Sequence, residues 1–142
     1  MRTVRQLLAA KPAEIFAIAP DAAVIDAVRL MAEKGIGAVL AMTGARLDGI
    51  LSERDYARKI VLEGKSSKDT PVQAIMTAEV VTVAPADTVA DCMQLMTLRR
   101  IRHLPVVEDG AVIGLVSIGD LVRAVIEDQQ HELDQLQRYI AG

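Results

Sequence analysis

Aromatic residues and cysteine are nearly absent from this chain. Phenylalanine, tyrosine and tryptophan together make up 2% of the 142 residues, and tryptophan does not occur. Proteins that bind single-stranded nucleic acid stack its bases on aromatic side chains, so this composition argues against that class. The single cysteine, Cys92, excludes an intramolecular disulfide framework and a cysteine-rich zinc site. We therefore expect a core of alanine, valine, leucine, isoleucine and methionine.

Positive charge and long apolar runs are also scarce. The net charge is −3 and the isoelectric point about 5.4, which argues against a surface that binds the nucleic-acid backbone. No apolar run approaches the roughly 18 residues of a membrane-spanning helix. The start of the chain carries Arg2 and Arg5, but no apolar segment with a cleavage site follows. We expect a cytoplasmic protein with neither nucleic acid nor membrane as a partner.

An internal repeat dominates the sequence. A shift of 65 residues places Phe16–Val61 on Val81–Ile126 without a gap, and 11 of the 46 pairs are identical. A looser similarity precedes each copy, at Thr3–Leu8 and Pro71–Met76. Since only two copies are present, a long solenoid is excluded. The repeat favours a closed pair with pseudo-twofold symmetry, in which each copy covers the apolar face of the other.

Both copies predict the same order of elements, a β-α-β-β-α unit preceded by a short helix. Apolar residues at i, i+3, i+4 and i+7 predict the first long helix of each copy. Those residues are Val24, Ala27, Val28 and Met31, and Val89, Cys92, Met93 and Met96. The predicted short helices are about 3–10 and 71–76. The predicted strands are Ile15–Ala19, Ala38–Met42, Leu47–Leu51, Val80–Ala84, His103–Val107 and Ala111–Val116. Proline follows the first strand of each copy, and turn residues join the paired strands.

The fold class is therefore α/β (α+β in some schemes), with two repeats and a C-terminal helix. The sequence divides into a first repeat with its N-terminal helix (1–66), a second repeat (67–128) and a helical extension (129–142). The linker between the repeats is Leu62–Pro71, where glycine, serine and proline are frequent.

One motif occurs at the end of the hairpin in both copies. It runs Gly49–Asp55 and Gly114–Asp120, with serine after the strand and aspartate three residues later. Ser-x-x-Asp before an amphipathic helix is typical of a capping box, which needs no ligand. The same arrangement suits a ligand, because a helix N-terminus with a serine hydroxyl can bind phosphate. The aspartate could then accept two hydrogen bonds from a ribose diol. Aspartate in place of the longer Glu or Gln of a capping box favours the ligand, and the residues alone leave both interpretations open.

At this point the chain resembles the tandem cystathionine β-synthase (CBS) domain pair, or Bateman module. The resemblance covers nearly all 142 residues. It depends on the duplicated unit, on the two copies of Gly-x-x-Ser-x-x-Asp, and on the strand Arg102–Val107. The segment Val72–Thr77 before the second copy contributes to it. The chain is most similar to small standalone bacterial CBS-pair proteins.

The resemblance implies that adenosine nucleotides bind in clefts between the repeats, with the aspartate on the ribose and the serine and nearby basic residues on phosphate. By position, the first site would contain Ile18, Gly37, Ala38, Val39, Ser52, Arg54 and Asp55. The second would contain Thr82, Arg102, His103, Leu104, Pro105, Ser117 and Asp120. Arg102 and His103 replace Gly37 and Ala38, and Gly119 replaces Arg54. We therefore expect two sites of different affinity, for AMP, ADP, ATP, NAD or S-adenosylmethionine.

The resemblance thus predicts a regulatory sensor that changes conformation or affinity for a regulated protein. Catalysis is not expected, because Ser52 and Ser117 have no sequence-local base and no P-loop or zinc motif is present. We expect no metal and no cofactor besides the nucleotide ligand. The alternative is a structural or dimerisation module whose nucleotide sites are vestigial.

The C-terminal extension continues a helical pattern beyond the repeat. Ile126, Gln129, Leu133, Leu136 and Ile140 follow at steps of three and four residues. This stripe could pack on its own module or on a second copy. Since it extends past the repeat that would need it, we favour a homodimer.

Overall fold

Each compact unit of the chain combines one copy of the repeat with the segment that precedes the other copy. The computed structural model describes residues 2–11 and 14–141. The first unit contains residues 14–81 and 110–112, and the second contains 2–11, 82–109 and 113–141. The division into 1–66, 67–128 and 129–142 instead follows the order of the repeats and stays a prediction. Its end residues Met1 and Gly142 lie outside the described residues.

The elements follow the order that the repeat predicts. In chain order they are α1 (Val4–Ala9), β1 (Ala17–Ile18), α2 (Val24–Lys34), β2 (Ala38–Thr43), β3 (Arg46–Ser52), α3 (Glu53–Tyr56), α4 (Val89–Arg99), β4 (His103–Glu108), β5 (Ala111–Ser117) and α5 (Ile118–Ala141). Helix α3 continues as a π-helical turn over Ala57–Val61. The predicted short helix 71–76 is only a 3-10 turn at Val72–Ala74. The mixed α/β class is confirmed.

The strands form two small sheets. In the first unit β1 pairs in parallel with β2, and β2 pairs antiparallel with β3. In the second unit β4 pairs with β5. The hairpin turns use residues with positive φ, at Gly44 (60°) and at Asp109 (52°) and Gly110 (79°). Such turns match the twist of two-residue hairpins.

The predicted strand Val80–Ala84 is wrong, and proline is the reason. Only Val83 pairs, through an isolated parallel bridge to Val106. Val83 N–H donates to the Pro105 carbonyl (3.0 Å), and Val107 N–H donates to the Val83 carbonyl (2.9 Å). The next rung would need an N–H on Pro105, which proline lacks. In the first repeat the equivalent residue, Leu40, does donate to the Phe16 carbonyl (3.0 Å), and β1 forms there.

The segment before each repeat completes the helix of the other repeat. The Val24 N–H at the start of α2 donates to the Thr70 carbonyl (2.9 Å). The equivalent Val89 N–H of α4 donates to the Arg2 carbonyl (3.0 Å). Both bonds satisfy helix-terminal amides that have no partner within their own helix. The exchange explains why residues 2–11 belong to the second unit.

The apolar stripes of α2 and α4 form much of the core. Val24, Ala27 and Met31 are buried in the first unit, as are Val89, Cys92 and Met96 in the second. Cys92 is therefore a small core residue, as predicted. Burial, together with the charges of Asp87 and Asp91, raises the pKa of its thiol to about 11. The thiol is protonated at neutral pH and is not a nucleophile.

Gly49 and Gly114 provide space for the segments that precede the repeats. A Cβ on Gly49 would lie 2.5 Å from Met76 Sδ and 3.0 Å from the Thr77 carbonyl oxygen. A Cβ on Gly114 would lie 2.6 Å from a Leu8 methyl. The Thr77 backbone is held by two hydrogen bonds with Ile50 (3.0 and 2.9 Å), whereas a leucine side chain can turn away.

We predict that Gly49→Ala lowers the free energy of unfolding by about 1–3 kcal/mol, the usual cost of overpacking. The matched Gly114→Ala is expected to cost less, because its Cβ meets only flexible methyl groups. Urea unfolding followed by circular dichroism measures both. Equal losses in the two variants would contradict this account of the backbone contact at Thr77.

Helix α5 extends beyond the packed part of the second unit. Leu121 and Ala124 are buried, and Asp128 is the last residue of the helix that is partly covered. From residue 129 to 141 every residue is exposed, including Leu133, Leu136 and Ile140. The stripe therefore does not pack on its own unit. No helix among residues 2–11 and 14–141 is long and apolar enough to cross a membrane.

Candidate functional site

The two copies of the Ser-x-x-Asp motif lie where a strand meets a helix. Ser52 ends β3 with extended backbone (φ −107°, ψ 165°) and caps α3. Its hydroxyl accepts from the Asp55 N–H (3.1 Å), and Asp55 Oδ2 accepts from the Ser52 N–H (3.0 Å). In the second unit the Asp120 N–H donates to Ser117 Oγ (3.2 Å), and the Ser117 N–H donates to Asp120 Oδ2 (2.9 Å). The capping box predicted from the sequence is therefore present at both junctions.

The preference for Asp over Glu does not separate a ligand site from a cap. Thr88 and Asp91 close a capping box of the same geometry at the start of α4, with bonds of 3.0 and 3.1 Å. The expectation that aspartate favours the ligand interpretation is wrong, since this residue serves a cap equally well. What distinguishes Asp55 and Asp120 is their environment. Their side chains are only 16% and 15% exposed, whereas Asp91 is exposed.

Each junction is attached to the first strand of its hairpin by one equivalent bond. The Glu53 N–H donates to the Gly37 carbonyl (3.0 Å), and the Ile118 N–H donates to the Arg102 carbonyl (2.9 Å). These bonds place the helix start beside the residue that precedes β2 or β4. The first amide of each helix is therefore already bonded to the protein backbone.

A lysine lies against each of the two carboxylates. Lys59, one turn further along the helical segment, has its Nζ 3.3 Å from Asp55 Oδ1. The same Nζ donates to the Ile75 carbonyl (2.9 Å). In the second unit Lys11 comes from the N-terminal segment and donates to Asp120 Oδ2 (2.8 Å) and to the Leu115 carbonyl (2.6 Å).

The ionisation state of Asp120 follows from these contacts. Burial raises the pKa of Asp120, but the hydrogen bonds from Lys11 and from the Ser117 N–H outweigh burial. The net effect lowers the pKa below its usual value of 3.8. The side chain is therefore a carboxylate at neutral pH and can only accept hydrogen bonds. An ionised carboxylate suits the two hydroxyl groups of a diol.

The structure brings the predicted residues together within each unit. Ile18, Gly37, Ala38, Val39, Ser52, Arg54 and Asp55 lie in the first unit, and Thr82, Arg102, His103, Leu104, Pro105, Ser117 and Asp120 lie in the second. Ala38 pairs with Ser52 across the hairpin, and Val39 pairs with Leu51. Ala38, Val39, Leu104 and Pro105 are buried in their units, whereas Thr82, Arg54 and Arg102 are exposed. The buried residues therefore support the junction from the core side.

Sequence reasoning missed Lys11 and Lys59. Lys59 follows Asp55 by four residues, and that spacing is a known signal for an ion pair on one helix face. Lys11 carries no such signal, because 109 residues separate it from Asp120. Lys11 reaches Asp120 only because the segment before the first repeat belongs to the second unit.

No group of three or more His, Cys, Asp or Glu among the described residues could hold a metal ion. His131 is exposed on α5, with its Nε2 3.2 Å from Gln135 Nε2. The arrangement of a serine hydroxyl and an ionised carboxylate at a helix start is suited to binding.

Comparison with known proteins decides the family. The CBS domain model matches the chain twice, over residues 4–62 and 72–127. The chain belongs to the CBS domain family. As a CBS pair it is 48% identical over 127 residues to the mitochondrial CBS domain-containing protein CBSX3 of Arabidopsis thaliana. That match covers 86% of this chain, which spans 62% of the length of the relative.

Solved structures of CBS pairs have the same fold. A CBS-domain protein from Burkholderia ambifaria, to which a role in signal transduction is attributed, is 53% identical with a TM-score of 0.88. The match covers 90% of this chain and 96% of that one. A CBS domain protein from Pyrobaculum aerophilum, solved in complex with AMP, is 26% identical with a TM-score of 0.78. That match covers 89% of this chain and 97% of that one.

Proposed function

We propose that this CBS pair is a regulatory module that binds an adenine nucleotide and signals through a change of conformation or of partner affinity. The observation that carries the proposal is the duplicated junction, in which a partly buried, cation-paired aspartate follows a capping serine in each unit. The AMP complex of the Pyrobaculum aerophilum relative supports an adenosine ligand. AMP, ADP, ATP and NAD share the ribose diol that such a carboxylate can bind.

The proposed roles follow from the chemistry of each group. Asp55 and Asp120 accept hydrogen bonds from the ribose hydroxyls, and Ser52 and Ser117 bind phosphate with help from Arg54 and from Arg102 and His103. A carboxylate has about four lone-pair positions, so the capping bond leaves capacity for a diol. The remaining predicted residues contribute backbone and apolar surface to the adenine.

A role in binding agrees with the signalling role attributed to the Burkholderia ambifaria relative. We propose that the module does not convert its ligand and that it acts in the cytoplasm on a regulated protein. A ligand can shift the conformations of such a module only through different affinities for them.

AMP titration of the full chain tests the proposed function. A ligand that binds only the folded state stabilises it by RT ln(1 + [L]/Kd), about 2.7 kcal/mol at a hundredfold excess over Kd. For a chain of this size we expect a rise in Tm of about 5–10 °C. Isothermal titration calorimetry gives the affinity, and inosine monophosphate controls for recognition of adenine. A chain whose Tm and heat signal are unchanged by AMP, ATP and NAD would overturn the proposal.

Homodimerisation is the second part of the proposal. The exposed stripe of α5 contains Ile126, Leu133, Leu136 and Ile140, each more than half exposed. Successive residues of this stripe are seven, three and four residues apart, which is the spacing of a coiled-coil seam. A second copy offers an identical stripe, so a twofold contact can cover both. This stripe also favours the alternative of a dimerisation module with vestigial nucleotide sites, which the AMP titration distinguishes.

A further inference from the structure

Residues 2–11, the N-terminal segment, are held against α5 of the second unit at two places. At one end Arg2 forms ion pairs with Glu127 (2.8 Å) and Asp128 (3.1 Å). At the other end Lys11 bonds to Asp120, two turns earlier on the same helix. Between them the Val4 N–H donates to the Asp87 carbonyl (2.8 Å). The segment therefore runs along α5 from Asp120 to Asp128 with a cation at each end.

The Lys11 contact uses the carboxylate oxygen that closes the capping box. Asp120 Oδ2 accepts both the Ser117 N–H (2.9 Å) and Lys11 Nζ (2.8 Å). These two bonds use the lone pairs of that oxygen. The other oxygen, Oδ1, has a longer contact of 3.6 Å with Arg123. A diol that donates to both oxygens therefore meets Lys11 at one of them.

In the first repeat the cation on the carboxylate belongs to the same helical segment as the aspartate. Asp55 Oδ2 accepts from the Ser52 N–H (3.0 Å) and from the Ser52 hydroxyl (3.1 Å). Lys59 lies 3.3 Å from the other oxygen and is part of the same helical segment, so its side chain can turn without moving the backbone. Both lysines also donate to a backbone carbonyl, Lys59 to that of Ile75 (2.9 Å) and Lys11 to that of Leu115 (2.6 Å), but Lys11 belongs to a separate segment. Release of Lys11 from Asp120 therefore removes one attachment of the N-terminal segment to α5.

We propose that Lys11 occupies the Asp120 carboxylate in competition with the ribose diol, so that nucleotide binding at the second site releases the end of the N-terminal segment. The inference is built on the proposed function and adds a specificity-determining residue to it. Lys11 lowers the affinity of the second site relative to a site without it. The nucleotide-bound state then lacks the contact between Lys11 and α5 that the free state has. Such a difference between the two states lets a sensor report its ligand.

The affinity test uses a chain in which the first site is silenced by Asp55→Ala, with AMP as the probe. In that background Lys11→Met is expected to lower the Kd for AMP about tenfold, because a charge-assisted competitor is removed. Methionine keeps the apolar stem of the side chain. Lys11→Arg, which restores a cation on the carboxylate, is expected to return the Kd to within about twofold of the Asp55→Ala chain. An unchanged or higher Kd in Lys11→Met would overturn the proposal.

Hydrogen exchange on the wild-type chain gives a second test that needs no substitution. AMP is expected to speed amide exchange of residues 4–9, because the segment loses one of its two ion-pair attachments to α5. In Lys11→Met these amides are expected to exchange faster before AMP is added and to respond little to it. Exchange that slows or stays constant on AMP binding in the wild type would contradict release. If AMP binds neither the wild type nor any variant, the proposed function itself fails, whereas binding without these effects rejects only the role of Lys11.

Discussion

Replacing Asp55 and Asp120 together by alanine is expected to abolish the AMP-dependent rise in Tm. Each substitution removes the carboxylate that we propose for the ribose diol, and two charge-assisted hydrogen bonds contribute roughly 3 kcal/mol or more at each site. Affinity should therefore fall by about a hundredfold or more at each site. At AMP concentrations that saturate the wild type, most of the stabilisation disappears. Differential scanning fluorimetry with and without AMP measures the loss.

The control must separate loss of ligand from loss of a capping box, since both aspartates close one. Asp91 provides it, because Thr88 and Asp91 form the same box at the start of α4, outside both proposed sites. Asp91→Ala is expected to lower the Tm of the free protein while leaving the AMP-dependent rise intact. A double variant that keeps the full rise would reject the ribose assignment. A loss of the rise in Asp91→Ala as well would show that the effect comes from general destabilisation.

The second large effect is expected from substitutions in the helical extension, residues 129–142. Changing Leu133, Leu136 and Ile140 to alanine is expected to raise the dimer dissociation constant by at least a factor of about 100. Burial of one such side chain contributes about 1.5–3 kcal/mol, and a twofold contact counts each residue twice. Alanine preserves helix propensity, so the helix itself should persist. Sedimentation velocity at micromolar and sub-micromolar concentrations measures the change.

The matched control changes the opposite side of the same helix. His131, Gln135 and Arg138 are also exposed and lie away from the stripe, so their replacement by alanine should leave the dimer unchanged. Removal of residues 129–142 should act like the triple change in the stripe. A stripe variant that stays dimeric at sub-micromolar concentration would place the dimer contact elsewhere on the chain. A monomeric wild type would reject the homodimer altogether.

Much of the fold is predictable from the sequence because the sequence repeats. The stripes at Val24–Met31 and Val89–Met96 predicted α2 and α4, and glycine-containing turns predicted both hairpins. Local signals also predicted the capping boxes, since a serine and an aspartate three residues apart interact within one helical turn. The residue set proposed for each site follows from the family resemblance, and the structure groups it by unit without testing its role.

The failure at Val80–Ala84 depends on a contact between distant parts of the chain. The predicted strand Val80–Ala84 does not form because Pro105, in the neighbouring strand β4, has no N–H to donate to it. Aspartate in place of Glu or Gln does not separate a ligand site from a cap, since aspartate also closes the Thr88–Asp91 box. What distinguishes Asp55 and Asp120 is burial and a nearby cation. The spacing of four residues indicates Lys59, whereas burial and the contact of Lys11 with Asp120 cannot be read from a short motif.

The sequence alone determined the duplicated unit, its helices and hairpins, and the Ser-x-x-Asp junctions, because these depend on residues close together in the chain. The tertiary structure decided the rest. The segment before each repeat packs on the other repeat, so that the Arg2 carbonyl accepts the first N–H of α4 and the Thr70 carbonyl accepts the first N–H of α2. The tertiary structure placed Lys11 on Asp120, across 109 residues, and left α5 exposed beyond residue 128. Packing selects such contacts through the summed burial and hydrogen bonding of a whole unit, and no local pattern of residues carries that information.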